Sequence, residues 1–240
     1  MQNINIGITD CSKFQNYKEW FADQPGVHVI QLAYHLNNDI NSCDGVLFTG
    51  GTDVHPRYYG SKKKDYVGHP AHFDEKRDEF EISVFESTQQ KEIPVLAICR
   101  GLQLVNCILG GNLKQNLGFA LNRIHCAEKS PVHPQIKNDK AHGVNIEPAT
   151  IIREIAGVER SVVNSAHHQA VNKLGRGLKI NCRSDDGTVE GIEWQDKSNK
   201  PFLLGVQWHP ERMSRFQLEN SPLSKKIRDR FIDEIKKTDK

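Results

Sequence analysis

Apolar and polar positions along the chain follow two rhythms. Short apolar runs at residues 5–9, 28–32 and 45–48 read as strands, the third ending at Thr49-Gly50-Gly51. Residues 74–90 read as a helix, because Phe80, Val84 and Phe85 share one face with charges elsewhere. The run Ile93-Pro94-Val95-Leu96-Ala97-Ile98 carries no charge, which predicts a central strand covered on both faces. Leu102, Val105, Asn106 and Leu109 repeat at helical spacing, so a helix is predicted over 102–109, stopped by Gly110-Gly111. The second half is richer in strands, at 144–146, 161–163, 178–181, 189–194 and 202–207. A closing helix at 224–237 puts Ile227, Phe231 and Ile235 on one face, and its charges read as a solvated surface. The alternation predicts one α/β domain over residues 1–240, with a mostly parallel central sheet flanked by helices.

Composition narrows the class. A chain of 240 residues can bury a full core. Its 37% hydrophobic and 26% charged residues, with a mean hydropathy of -0.58, fit a soluble globular protein. No apolar run reaches the roughly 18 residues of a membrane span. Thirty-two Lys and Arg against thirty Asp and Glu leave +2, which gives no electrostatic case for nucleic-acid binding. The N-terminal residues read as a strand rather than a basic leader, so no secretory signal is expected. Six cysteines, at 11, 43, 99, 107, 126 and 182, form no Cys-x-x-Cys pair. They predict a reduced, cytoplasmic chain without a zinc site.

Three segments carry candidate chemistry. In Ile98-Cys99-Arg100-Gly101 a cysteine sits where a buried strand meets a helix, with a glycine two residues on. A sharp strand–helix turn of this kind holds its apex side chain out of the sheet, and a helix start favours a thiolate. In Gln207-Trp208-His209-Pro210-Glu211 a histidine follows a strand end, where α/β sites lie. Glu211 can fix the His209 tautomer, leaving the other ring nitrogen to take the Cys99 proton. Cys99, His209 and Glu211 thus form a candidate nucleophile, base and orienter. In Thr49-Gly50-Gly51-Thr52-Asp53 two glycines let the backbone approach a ligand, and one N–H there could join the Arg100 N–H in an oxyanion hole.

Together these segments resemble class I glutamine amidotransferase domains, a flavodoxin-like fold. The resemblance narrows to the γ-glutamyl-γ-aminobutyrate hydrolase (peptidase C26) family through residues 49–60, Asp74-Glu75-Lys76-Arg77-Asp78, Ala141-His142-Gly143-Val144, residues 163–170 and residues 184–190. It implies a hydrolase of polyamine catabolism. Cys99 attacks the γ-carbonyl of a γ-glutamyl amide, the Arg100 and Gly51 amides hold the oxyanion, and His209 protonates the leaving amine and later activates water. It also implies that Gln103 faces the glutamyl group. The partner implied is a small γ-glutamyl amide, without cofactor, nucleic acid or membrane, and a homodimer is left open. Three other readings stay open: a glutaminase subunit feeding a synthetase, a poly-γ-glutamate or folate-polyglutamate hydrolase, and a small-molecule binding module.

The leaving-amine side is less determined. Asp53, Arg57 and Tyr58 border one edge, and His167, His168 and Gln169 another. Arg57, or a lysine among Lys62, Lys63 and Lys64, is the cation expected to meet a carboxylate on the leaving amine. Adjacent histidines at 167 and 168 rarely point together, and no third ligand is spaced to join them, so no metal site is expected. His142 is expected to close a turn or pack a strand edge. His69 and His72 are assigned to a rim near the lysines.

Overall fold

The computed structural model describes residues 3–36, 39–60, 73–129 and 137–238. In chain order the first half runs β1 (Ile4–Thr9), α1 (Phe14–Trp20), β2 (Val27–Leu32), β3 (Gly45–Phe48), α2 (Glu75–Gln90), β4 (Val95–Ile98), α3 (Arg100–Ile108), β5 (Asn112–Lys114) and α4 (Phe119–His125). The second half runs β6 (Glu128–Lys129), β7 (Lys137–Asn138), β8 (Lys140–Ile146), α5 (Ile151–Ala156), β9 (Arg160–Ser165), β10 (Ala170–Lys173), β11 (Leu178–Ser184), β12 (Val189–Trp194), β13 (Leu203–Val206) and α6 (Lys225–Thr238).

Nine strands make one sheet in the order β2-β1-β3-β4-β13-β12-β11-β8-β9. From β2 to β13 neighbouring strands are parallel. From β13 to β9 they are antiparallel. The expected parallel sheet is therefore present and carries an antiparallel extension built from the strand-rich second half.

The uncharged run of β4 is central, between β3 and β13, and every residue of it is buried. Side chains alternate between faces along a strand. Leu96 and Ile98 join Leu47, Leu204 and Val206 in a core with Ile227, Phe231 and Ile235 of α6. Val95 and Ala97 join Val46 and Phe48 against Val84 and Phe85 of α2 and Leu102 and Val105 of α3. Helices thus cover both faces of the parallel half, as a continuous apolar strand requires.

Helix α2 starts one residue later than expected because Asp74 is its N-cap, accepting from the Arg77 amide at 3.0 Å. Asn106, which completes the helical spacing of α3, is fully buried. It donates to the carbonyls of Asn112 and Lys173 and accepts from the Gly175 amide. No helix among the described residues is long and apolar enough to cross a membrane.

Candidate active site

Parallel strands β3, β4 and β13 are neighbours and end on the same edge, the ligand edge of α/β sheets. Register pairs Val206 with Ile98, so the chain leaves β4 at Cys99 and β13 at Gln207 side by side. Cys99 has φ 54° and ψ -106°, a left-handed conformation rare for a side-chain-bearing residue. Strain of this kind is sustained only when its surroundings fix it. Here the Cys99 amide is held by the Val206 carbonyl at 2.7 Å, and α3 begins at the next residue. Gly101 makes the turn possible: a Cβ there would lie 2.4 Å from the Phe48 carbonyl oxygen.

His209 is buried beside Cys99, and its Nδ1 lies 2.9 Å from Glu211 Oε1. Burial and Arg212 pull the imidazole down, but Glu211 and Cys99 outweigh them and push it up to about 9. Burial alone would raise the Glu211 carboxyl; His209 and Arg212 hold it below its ordinary value. The chain before His209 is fixed as well, since its amide donates to Asn164 Oδ1 at 3.1 Å. Asn164 in turn donates to Asp139, which takes a two-pronged contact from Arg212 at 2.8 and 3.1 Å.

The glycine loop closes over these groups. A Cβ on Gly50 would lie 2.8 Å from His209 Cε1 and 3.6 Å from Cys99 Cβ, so only glycine fits. The Gly50 amide donates to Tyr17 Oη at 2.9 Å. The Gly51 amide makes no backbone hydrogen bond among the described residues, and Gly51 holds φ 142°, open to glycine. The loop's free donor is therefore Gly51, alongside the first N–H of α3 at Arg100, which has no intrahelical acceptor. Arg77 fixes the loop from behind: its Nη2 lies 3.0 Å from both Thr49 Oγ1 and the Gly50 carbonyl.

The Arg100 side chain points away from this chemistry. It is buried against Asp78 and Glu81 of α2, and Glu81 also takes Arg77 Nε at 2.7 Å. Burial would raise Glu81, but Arg100 and Arg77 hold it down. Helix α3 and the glycine loop are thus tied to one carboxylate. The sequence alone gives no role to Tyr17, Arg77, Asn164 or Gln207. Arg77 and Asn164 do stand inside stretches that carry the family resemblance, whereas nothing local to Tyr17 points to the loop.

A cavity of ≈ 250 Å³ opens onto Cys99 and His209, walled by Lys13, Gly50, Gly51, Cys126, His168 and Arg212 among others. A second, of ≈ 220 Å³, shares Cys11, Ser12 and Gly51 with it. His168 is in the wall, with Nε2 2.8 Å from Asp53 Oδ2. Gln103 and Gln169 are not in the wall. Gln103 is buried behind the nucleophile, donating to Gln207 Oε1 and the Gln169 carbonyl at 3.1 Å each, and Gln207 donates to Cys99 Sγ at 3.5 Å.

Arg57 and Tyr58 are not brought to the cavity either. Arg57 is held by Glu75 at 3.0 Å and Glu79 at 2.6 Å, one turn apart on α2, and by the Tyr58 hydroxyl. Lys62 to Lys64, His69 and His72 lie outside the described residues. His167 and His168 diverge, as neighbours should, but His167 does meet further donor groups. It is buried beside His125 and Glu190 and the half-buried His142, which corrects the expectation that no third ligand reaches it and that His142 only packs a strand edge.

A parallel sheet edge carrying a cysteine elbow, a glycine loop and a His–Glu pair defines a glutamine amidotransferase-like hydrolase. Known proteins agree. The peptidase C26 family profile matches residues 24–211. A glutamine amidotransferase-like protein of Rickettsia prowazekii is 33% identical over 87% of this chain and 91% of its own. The γ-glutamyl-γ-aminobutyrate hydrolase PuuD of Escherichia coli is 30% identical over 77% of this chain and 70% of its own. The fold matches a glutamine amidotransferase of Thermotoga maritima with TM-score 0.62 at 16% identity, over 100% of this chain and 86% of that one. The chain belongs to the peptidase C26 family.

Proposed function

We propose that the protein hydrolyses the γ-glutamyl amide bond of γ-glutamyl-γ-aminobutyrate or a related γ-glutamyl amine. The observation that carries this reading is the buried Cys99–His209–Glu211 set beneath the Gly50-Gly51 loop. The Cys99 sulfur, its proton held by His209, attacks the γ-carbonyl carbon and forms a C–S bond. The carbonyl π electrons move to oxygen, where the Gly51 and Arg100 amides receive the charge. Collapse breaks the C–N bond as His209 gives its proton to the leaving nitrogen. Water then attacks the thioester, giving its proton to His209, and glutamate leaves as sulfur is released.

A raised His209 suits this cycle, because the leaving amine needs a proton donor at neutral pH. For a leaving amine that carries a carboxylate, Lys13 is the better-placed cation than Arg57. It lines the cavity and makes no direct salt bridge among the described residues, although Asp139 and Glu211 are near enough to act on its charge. Arg57 is occupied by two glutamates.

The test is a panel of γ-glutamyl-γ-aminobutyrate, γ-glutamyl ethylamide, diglutamate and glutamine, assayed for glutamate release with wild type and Cys99→Ala. Cleavage of the linear amides over glutamine, with a trapped acyl-enzyme on Cys99 and none in the variant, is expected. Glutamine as the best substrate, or full activity in Cys99→Ala, would refute the reading.

A further inference from the structure

Beyond the cysteine site, four side chains converge on the antiparallel side of the sheet. His125 closes α4, His142 is on β8, His167 follows β9 and Glu190 is on β12. Glu190 Oε1 lies 3.4 Å from His125 Nδ1, 3.5 Å from His142 Nε2 and 3.4 Å from His167 Nε2. All four donor atoms fall within 4.8 Å of one another. A tetrahedral ion bound at roughly 2.0–2.1 Å separates its ligand atoms by about 3.3–3.4 Å, so the three contacts to Glu190 have the length of tetrahedral edges.

The outer ring nitrogens decide what the inner ones can be. His167 Nδ1 is 2.9 Å from the Gln169 carbonyl, and His142 Nδ1 is 3.2 Å from the Gly143 carbonyl. His125 Nε2 is 2.8 Å from Asp186 Oδ2. Asp186 is fixed in turn by hydrogen bonds from Ser184 and Thr188. Carbonyl and carboxylate oxygens only accept, so each ring places its N–H outward. A neutral ring then turns a lone pair inward, toward an acidic side chain.

His142 Nε2, His167 Nε2 and both Glu190 oxygens are buried and make no hydrogen bond among the described residues. Ser165 lies 3.5 Å from His125 Nδ1, but its hydroxyl proton goes to the His125 carbonyl at 2.8 Å. Four acceptors facing one another out of water are strongly unfavourable unless a cation joins them. One proton shared between Glu190 and a single imidazole would bridge one pair and leave two nitrogens unmatched.

We propose that His125, His142, His167 and Glu190 bind one zinc ion in a closed, four-coordinate structural site. Three imidazoles and one carboxylate suit zinc, and the outward bonds to a carboxylate and two carbonyls are the supports that orient metal-bound histidines. The ion ties α4 to the sheet. It stands behind the cavity wall, since Cys126 and His168, next in sequence to His125 and His167, line that cavity.

Metal analysis of the full chain, expressed with zinc in the medium, tests this independently of any substrate. About one zinc per chain is expected in wild type and in Cys99→Ala, falling below about 0.1 in a His142→Ala/Glu190→Gln double variant. Stripping wild type with a chelator should lower Tm by roughly 10 °C, and cobalt added to the stripped protein should give the visible bands of a tetrahedral ion without a thiolate charge-transfer band. The stripped wild type decides the matter if the double variant does not fold. A wild type that purifies without metal and takes up neither zinc nor cobalt overturns the proposal. So does a folded double variant that keeps one zinc per chain.

Discussion

Arg77 and Gly50 are joined by a 3.0 Å hydrogen bond from guanidinium to carbonyl, although 27 residues separate them. The bond sets the orientation of the peptide that presents the Gly51 amide, so in the proposed mechanism Arg77 positions an oxyanion donor without touching substrate. Arg77→Ala should lower kcat by about 10- to 100-fold with little change in KM, somewhat less than loss of an oxyanion donor itself. Steady-state kinetics on a γ-glutamyl amide check this, and an equal fall in Arg77→Lys would show that the forked contact, not charge, is what counts.

Gly50→Ala probes the same loop from the other side. The added methyl meets His209 Cε1 at 2.8 Å and Tyr17 Oη at 3.1 Å. Displacing the base by even part of an ångström should cost about 100-fold in kcat/KM while the protein stays folded by circular dichroism. Activity within about twofold of wild type would show that the loop has room the structure denies it.

Gly101→Ala should damage the fold rather than the chemistry alone. Its methyl would meet the Phe48 backbone oxygen, which cannot swing aside. A loss of roughly 1–3 kcal/mol is expected in urea unfolding, the usual range for overpacking. An unchanged midpoint would mean that α3 can slide off β3.

The raised His209 fixes the sign of a pH effect. Its folded value of about 9 lies above the ordinary 6.5. The stability it contributes is therefore complete below about pH 6.5, fades between about 6.5 and 9, and is gone above that. The stability gap between wild type and His209→Asn should shrink over this window, measured by urea unfolding at pH 6 and pH 10. The rate should also fall on the alkaline side near pH 9, as the proton for the leaving amine is lost.

Lys13 and Arg57 can be separated on two substrates. Lys13→Ala should lower kcat/KM for γ-glutamyl-γ-aminobutyrate by about 10- to 100-fold relative to γ-glutamyl ethylamide, the loss of one charged hydrogen bond. Arg57→Ala should change neither by more than about threefold. The opposite pattern would return the leaving-group contact to Arg57.

Much of this site is legible in the sequence because its parts are local. Strand ends followed by Cys-Arg-Gly and His-Pro-Glu carry their geometry within a few residues. The parallel half of the sheet is legible for the same reason, since β3 and β4 are uninterrupted apolar runs. What does not show are features made by topology. Arg57 reads as a free cation until α2 brings Glu75 and Glu79 against it. The histidine cluster takes its members from α4, β8, β12 and the turn after β9, with no repeating spacing to announce it. Helices α1, α4 and α5 are only six or seven residues long, too short for a periodic signal. α5 rests instead on its Thr150 cap and its four buried residues.

The pairing of β4 with β13 has a consequence for biosynthesis. Gln207, which holds the Cys99 sulfur, is translated 108 residues after it. At roughly 5–20 residues per second, the thiol leaves the ribosome about 5–20 s before the strand that completes its elbow. Through that interval the nascent chain has Cys99 and the glycine loop without His209. The full set of Cys99, Gly51 and His209 is therefore assembled only near the end of synthesis, when β13 is made and can pair with β4.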